Sequence, residues 1–129
     1  MDQEFKARWV AALRSGEYEQ SQGQLVADFG DGQKVFCCLG VACELAVEDG
    51  LAKRSITGDG YHEGYVDSEG WISNGAIPAT LAIQLGLTPS GKLPQTVKAG
   101  STNHYELASL NDTGGWTFAQ IADYIETNF

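Results

Sequence analysis

Basic residues are scarce in this chain. Eight lysines and arginines stand against 17 aspartates and glutamates, for a net charge of −9. Such a surface is repelled by phosphate backbones and anionic headgroups, which argues against nucleic acid and membrane surfaces as partners. The acids are scattered along the chain, so the dense one-faced array of a nucleic-acid mimic is also missing. No apolar run approaches the ~18 residues of a membrane span, and Met1-Asp2-Gln3-Glu4 is acidic where a secretory leader would be basic. Cysteine occurs three times, an odd number, with Cys37 and Cys38 adjacent. Neighbouring cysteines are too strained to bridge routinely, so the disulfide framework of a secreted mini-protein is unsupported and a reduced, cytoplasmic setting is expected. The two histidines, His62 and His104, are isolated and no C-x-x-C pair exists, so no metal site is expected. Gly30-x-Gly32 and Gly58-x-Gly60 lack the third glycine and the strand-to-helix context of a phosphate loop, and no cofactor is expected.

What remains is an ordinary globular composition. At 129 residues and 43% apolar content, the chain has the size and hydrophobicity of one domain spanning 1–129 with its own core. Phe5, Trp9 and Leu13 recur at four-residue spacing with Val10 beside them, predicting an amphipathic helix over 3–14 with Asp2 as N-cap and Gly16 as its stop. Two β-prone runs, Gln24 to Phe29 and Gln33 to Phe36, flank Gly30-Asp31-Gly32 and read as a hairpin.

All three cysteines fall in Phe36-Cys37-Cys38-Leu39-Gly40-Val41-Ala42-Cys43-Glu44-Leu45. A helix from about Cys37 to Asp49 is apolar nearly all round, the mark of a buried helix, with Glu44 and Glu48 forming a narrow wet stripe. Gly40 sits near that stripe, where a missing side chain lets another backbone approach, and Gly50-Leu51 fits a Schellman stop. Residues 61–66 and 71–72 around Asp67-Ser68-Glu69-Gly70 suggest a second hairpin. Pro78, at a first helical position, with Leu81 and Leu85 describes a short helix over 78–85. Residues 88–103, rich in glycine, proline and hydroxyl side chains, read as a long loop. Asn103 with Glu106 opens a short helix that Asn111-Asp112-Thr113-Gly114-Gly115 breaks. Thr117 with Gln120 forms a capping box, with Trp116 and Ile121 as its staple, for a last helix over 118–127.

The cysteine segment has two readings. As core, its thiols are small apolar filler, since unreactive cysteine is among the most buried residue types. As chemistry, Cys37 or Cys38 at a helix N-terminus is a candidate nucleophile, with His104 and Asn111 following in the order cysteine, histidine, asparagine of papain-like hydrolases. The core reading is favoured: no signature surrounds the thiols, and Asn111 is explained as a turn residue. Tyr61, His62, Tyr65 and Trp71 form a polar aromatic cluster, read either as cover for the cysteine helix or as a recognition surface.

Trp9-x-x-Ala12-Leu13-Arg14-Ser15-Gly16-x-Tyr18-x-Gln20, then the cysteine segment, then Leu110-Asn111-Asp112-x-Gly114 with Phe118-x-x-Ile121-Ala122-x-x-Ile125 form a set. In this order it resembles a group of small uncharacterised proteins encoded by bacteriophages and prophages. The resemblance implies a viral or mobile-element origin and a small globular protein in the cytoplasm of an infected cell. It carries over no catalytic residue. The sequence therefore predicts a single small α+β domain, with a central buried helix packed by the N- and C-terminal helices and one or two β-hairpins at the side. The expected function is non-enzymatic binding of a host protein or small molecule, with no metal and no assigned oligomeric state. The alternative is the hydrolase using Cys37 or Cys38 with His104 and Asn111.

Overall fold

Asp2 starts the fold as predicted: its carboxylate accepts the Glu4 amide at 3.0 Å and opens helix α1, Gln3–Arg14. The computed structural model describes residues 2–28, 33–56, 63–75, 77–86, 107, 110–112 and 114–128. Phe5, Trp9, Val10 and Leu13 are the buried face of α1, as their spacing requires. Strands β1 (Glu19–Gln20), β2 (Val26–Asp28) and β3 (Lys34–Phe36) follow. The predicted hairpin is β2 antiparallel to β3, and β1 adds a parallel partner on the other side of β3.

Helix α2, Cys38–Glu48, runs directly out of β3 with Cys37 as N-cap. Every residue from Cys38 to Ala46 is buried. Gly40 is required by contact: a β-carbon there would run into the carbonyl of Leu25. The helix ends in the predicted Schellman turn, with Gly50 at φ +76° and bonds from Gly50 N to Val47 O (3.1 Å) and from Leu51 N to Ala46 O (2.9 Å).

A second sheet, ordered β4-β5-β6, contains Lys53–Ile56, Glu63–Val66 and Ile72–Ser73. Both of its pairings are antiparallel. The β5–β6 hairpin matches the expectation, whereas β4 was not anticipated: its residues are exposed throughout and show no alternation. The sheets join where Leu25 N donates to Asn74 O at 2.6 Å and Lys34 pairs with Glu63. Helix α3, Ala79–Gln84, begins one residue later than predicted, because Pro78 is its N-cap with an extended ψ of 139°. Leu107 and Leu110–Asp112 are helical, and α4, Phe118–Asn128, closes the chain behind the Thr117–Gln120 capping box.

The chain is thus a small α+β domain. Helix α1 packs against both α2 and α4, and Arg14 of α1 pairs with Asp123 and Glu126 on the exposed side of α4. One hydrophobic cluster takes in Trp9, the α2 residues, Leu81, Leu107, Ile121 and Ile125. The loop at 88–103, the Gly30–Gly32 turn and the Asn103–Glu106 box lie outside the described residues.

Candidate functional site

The structure brings three of the four candidate catalytic residues together at the N-terminal end of α2. Asn111 is fully buried there. Its Oδ1 accepts from Cys38 N at 3.2 Å and from Gln20 Nε2 at 2.9 Å. Its Nδ2 donates to Ser21 O at 2.7 Å and to Asp112 Oδ1 at 2.9 Å. Both donors and both acceptor positions of the carboxamide are therefore engaged, which leaves none to orient an imidazole. Gln20 repeats the device one helix further on. Its Oε1 accepts from Phe118 N at 3.1 Å and its Nε2 donates to Trp116 O at 2.7 Å. The first amides of α2 and of α4 are thus capped by side chains from distant parts of the chain. Asp112 completes the knot by accepting the Gly23 amide at 3.0 Å.

These are the motif residues of the resemblance, Gln20, Cys37-Cys38, Asn111-Asp112 and Phe118, and they meet in one polar knot. Sequence reasoning explained Asn111 by its own turn and missed Gln20. The only signal available was its place in the first motif, because a strand of two residues, Glu19–Gln20, leaves no alternation to read.

The thiols are placed for packing. Cys37 is 5% exposed, and Cys38 and Cys43 are fully buried. The Cys37 sulfur accepts weakly from Gly40 N at 3.4 Å as helix N-cap. Helix-terminal amides lower a thiol pKa, but burial outweighs them and pushes Cys37 up to about 11. Burial likewise raises Cys38 and Cys43 well above the ordinary thiol range. At neutral pH a thiol titrating near 11, as Cys37 does, is thiolate about one part in ten thousand. Trp9 Nε1 donates to Cys38 O at 3.0 Å, and Cys38 Sγ lies 3.6 Å from Leu107 O, which ties the segment into the core. His104 and His62 lie outside the described residues. Among the described residues no group of three or more His, Cys, Asp or Glu side chains is placed to hold a metal ion.

Midway along α2 the polar chemistry changes. Glu44, assigned by its spacing to a wet stripe, is only 7% exposed. Arg54 of β4 grips both of its carboxylate oxygens, and Tyr65 of β5 donates its hydroxyl to Oε2 at 2.8 Å. The second sheet lies over this flank of α2 and shields the carboxylate, which corrects the wet-stripe assignment. Burial, then the neighbouring Glu44 charge, raises the Tyr65 phenol far above its ordinary range. Tyr65 therefore covers the cysteine helix, as one reading of the aromatic cluster expected.

Trp71 does the reverse. It is 70% exposed, and Ile72 beside it is exposed as well. Its backbone is held firmly, since Asp67 Oδ1 accepts the Trp71 amide at 3.0 Å and the Trp71 carbonyl accepts from Asp67 N at 3.0 Å. Asp67 Oδ1 also takes the Glu69 amide at 2.9 Å, and Gly70 closes the turn at φ +89°. The indole is thus presented on a rigid hairpin end. Ile72 is paired with Val66, which is paired with Lys53, so these three side chains share the face of the sheet opposite Tyr65.

The architecture is that of a small α+β domain, with Gln20, Asn111 and Asp112 gathered in one polar knot at the start of α2. The chain belongs to the family described as a domain of unknown function, DUF8296, whose model matches residues 1–129. No curated protein and no solved structure matches the chain. No helix among the described residues is long and apolar enough to cross a membrane.

Proposed function

We propose that this is a non-enzymatic accessory protein of phage or prophage origin that acts in the cytoplasm of its host cell by binding a host protein. The observation that carries the reading is Trp71, an indole held outward on a rigid turn next to exposed Ile72. Trp9 is fully buried and Trp116 half-buried against Tyr124, so an exposed indole departs from how this chain otherwise uses tryptophan. Tryptophan is the side chain most enriched at binding hot spots, and one fixed beforehand loses little freedom on docking. The buried, protonated thiols and the fully engaged Asn111 support binding over thiol hydrolysis. Three unpaired cysteines support a reducing compartment.

The test is comparative capture from a bacterial host lysate by the protein and by Trp71→Ala, with equal far-UV CD spectra confirming the fold. A retained host protein that the variant loses supports the reading, and an identical captured set from both overturns it. A thiol-reactive chromophore at pH 7 tests the hydrolase alternative. Silence until denaturant is added is expected, and a rapid one-thiol burst from the native protein would restore Cys37 or Cys38 with His104 and Asn111 as the reading to pursue.

A further inference from the structure

Among the described residues one buried side-chain oxygen has no hydrogen-bond partner, Oδ2 of Asp67. Asp67 is 5% exposed, and its other oxygen, Oδ1, accepts the Glu69 and Trp71 amides. Buried acceptors are almost always satisfied, which makes this one an unmet demand for a donor or a cation. The strand register runs on from Tyr65–Ser73 and Val66–Ile72 to Asp67–Trp71, where Asp67 N donates to Trp71 O at 3.0 Å. Residues directly opposite in an antiparallel pair point to the same face, so the orphaned carboxylate and the exposed indole stand side by side.

Among the described residues no cation of the sheet neutralises this carboxylate. Arg54, opposite Tyr65 and so on the same face, is committed to Glu44. Lys53, opposite Val66, lies on the other face. The turn adds a second acid: Glu69 is exposed, and its carboxylate has no partner among the described residues. A shielded charge is screened less than one in open water, so Asp67 acts on the indole side of the turn without being touched. The face of an indole ring itself attracts cations. An exposed indole between two unneutralised carboxylates, on a chain of net charge −9, complements a basic side chain.

We infer that the host protein docked by Trp71 presents an arginine, whose guanidinium stacks on the indole and faces Asp67 and Glu69. A planar guanidinium suits this position better than an ammonium, because it lies flat on the ring while its edge donates to a carboxylate. The inference rests on the docking reading and names the chemistry of the partner at that contact.

The probe is a blocked glycyl-arginyl-glycine peptide, titrated at pH 7 and low salt into the 15N-labelled protein. The control carries citrulline, the neutral isostere, in place of arginine. Saturable shifts at the Trp71 indole N–H and at the amides of 67–72 are expected, with the citrulline peptide about fivefold weaker or more. Glu69→Gln alters an exposed side chain, and Asp67→Asn keeps an oxygen for the two amides. Each is expected to weaken binding about two- to fivefold. Equal binding of the citrulline peptide, shifts spread over the acidic surface, or unchanged affinity in the double variant would each overturn the arginine assignment. None of these outcomes touches the docking reading, which the lysate comparison tests separately. A host protein lost by Trp71→Ala but retained by both charge variants upholds docking and overturns the arginine.

Discussion

Two polar centres flank the same buried helix and are built from opposite materials. At the N-terminal end of α2, Asn111 and Gln20 satisfy helix amides with neutral carboxamides, and Asp112 touches only the edge of the knot. Midway along α2, Glu44 is a shielded carboxylate held by a guanidinium and a phenol. The neutral centre joins segments up to 98 residues apart in sequence and anchors three parts of the chain at once. The ionic centre joins α2 to the second sheet alone. A neutral network loses most when a member is removed, because several buried partners are orphaned together. An ion pair with one half-exposed partner loses less, because Arg54 can return to water.

The largest expected effect follows from that difference. Asn111→Ala strands the Cys38 amide, the Ser21 carbonyl and one hydrogen of Gln20, each worth about 1–3 kcal/mol when buried and unpaired, less where water reaches it. A loss of about 3 kcal/mol is expected in urea unfolding at pH 7. A loss below about 1 kcal/mol would show that water replaces the carboxamide and that the knot does not hold the helix ends.

Alkali loads both centres, through the thiols at one and Tyr65 at the other. A thiol whose folded pKa is raised binds protons more tightly in the native state, so its contribution is complete below the unfolded pKa and disappears as pH rises through the folded one. Cys37, ordinarily near 9.0 and here about 11, is expected to remove on the order of 2 kcal/mol between pH 9 and pH 11. Cys38, Cys43 and Tyr65 are shifted the same way and steepen the fall. Cys37→Ser keeps a capable N-cap and removes one titrating group. Its stability against pH is expected to fall less steeply above pH 9, and an unchanged slope would place the loss elsewhere.

How much of this was legible depended on whether the cause was local. The face of α1, the buried length of α2, the Gly50-Leu51 stop and the Thr117–Gln120 box all follow from neighbours within a turn or two. Glu44 was misread for the opposite reason. Its four-residue spacing from Glu48 describes one face of one helix but says nothing of Arg54 and Tyr65, which arrive from a sheet. Strand β4 has no alternation and exists because β5 pairs with it, and β1 is only two residues long. Asn111 looks like a turn residue whether or not it also caps a distant helix, since both roles ask for the same carboxamide. The candidate site was therefore located by its cysteines, while its physical role was set by partners that no spacing rule names.

The smallest expected effect is also the most selective. Glu44→Gln keeps an oxygen for the Tyr65 hydroxyl but turns the grip on Arg54 into a weaker contact, and a cost of about 1.5 kcal/mol is expected because Arg54 is half-exposed. Salt then isolates the ionic part. Raising sodium chloride from 0.05 to 0.5 M shortens the Debye length from roughly 14 Å to 4 Å, which screens a partly exposed pair and leaves neutral hydrogen bonds nearly unchanged. The intact protein also carries surface pairs at Arg8 and Arg14, so its total response to salt is a sum over several contacts. The Glu44 contribution is the difference between the intact protein and Glu44→Gln, expected to shrink by a few tenths of a kcal/mol at high salt. The cost of Asn111→Ala should be the same at both salt concentrations. If the two costs fall together, the knot owes its strength to the Asp112 charge at its edge, and the division between a neutral and an ionic centre fails.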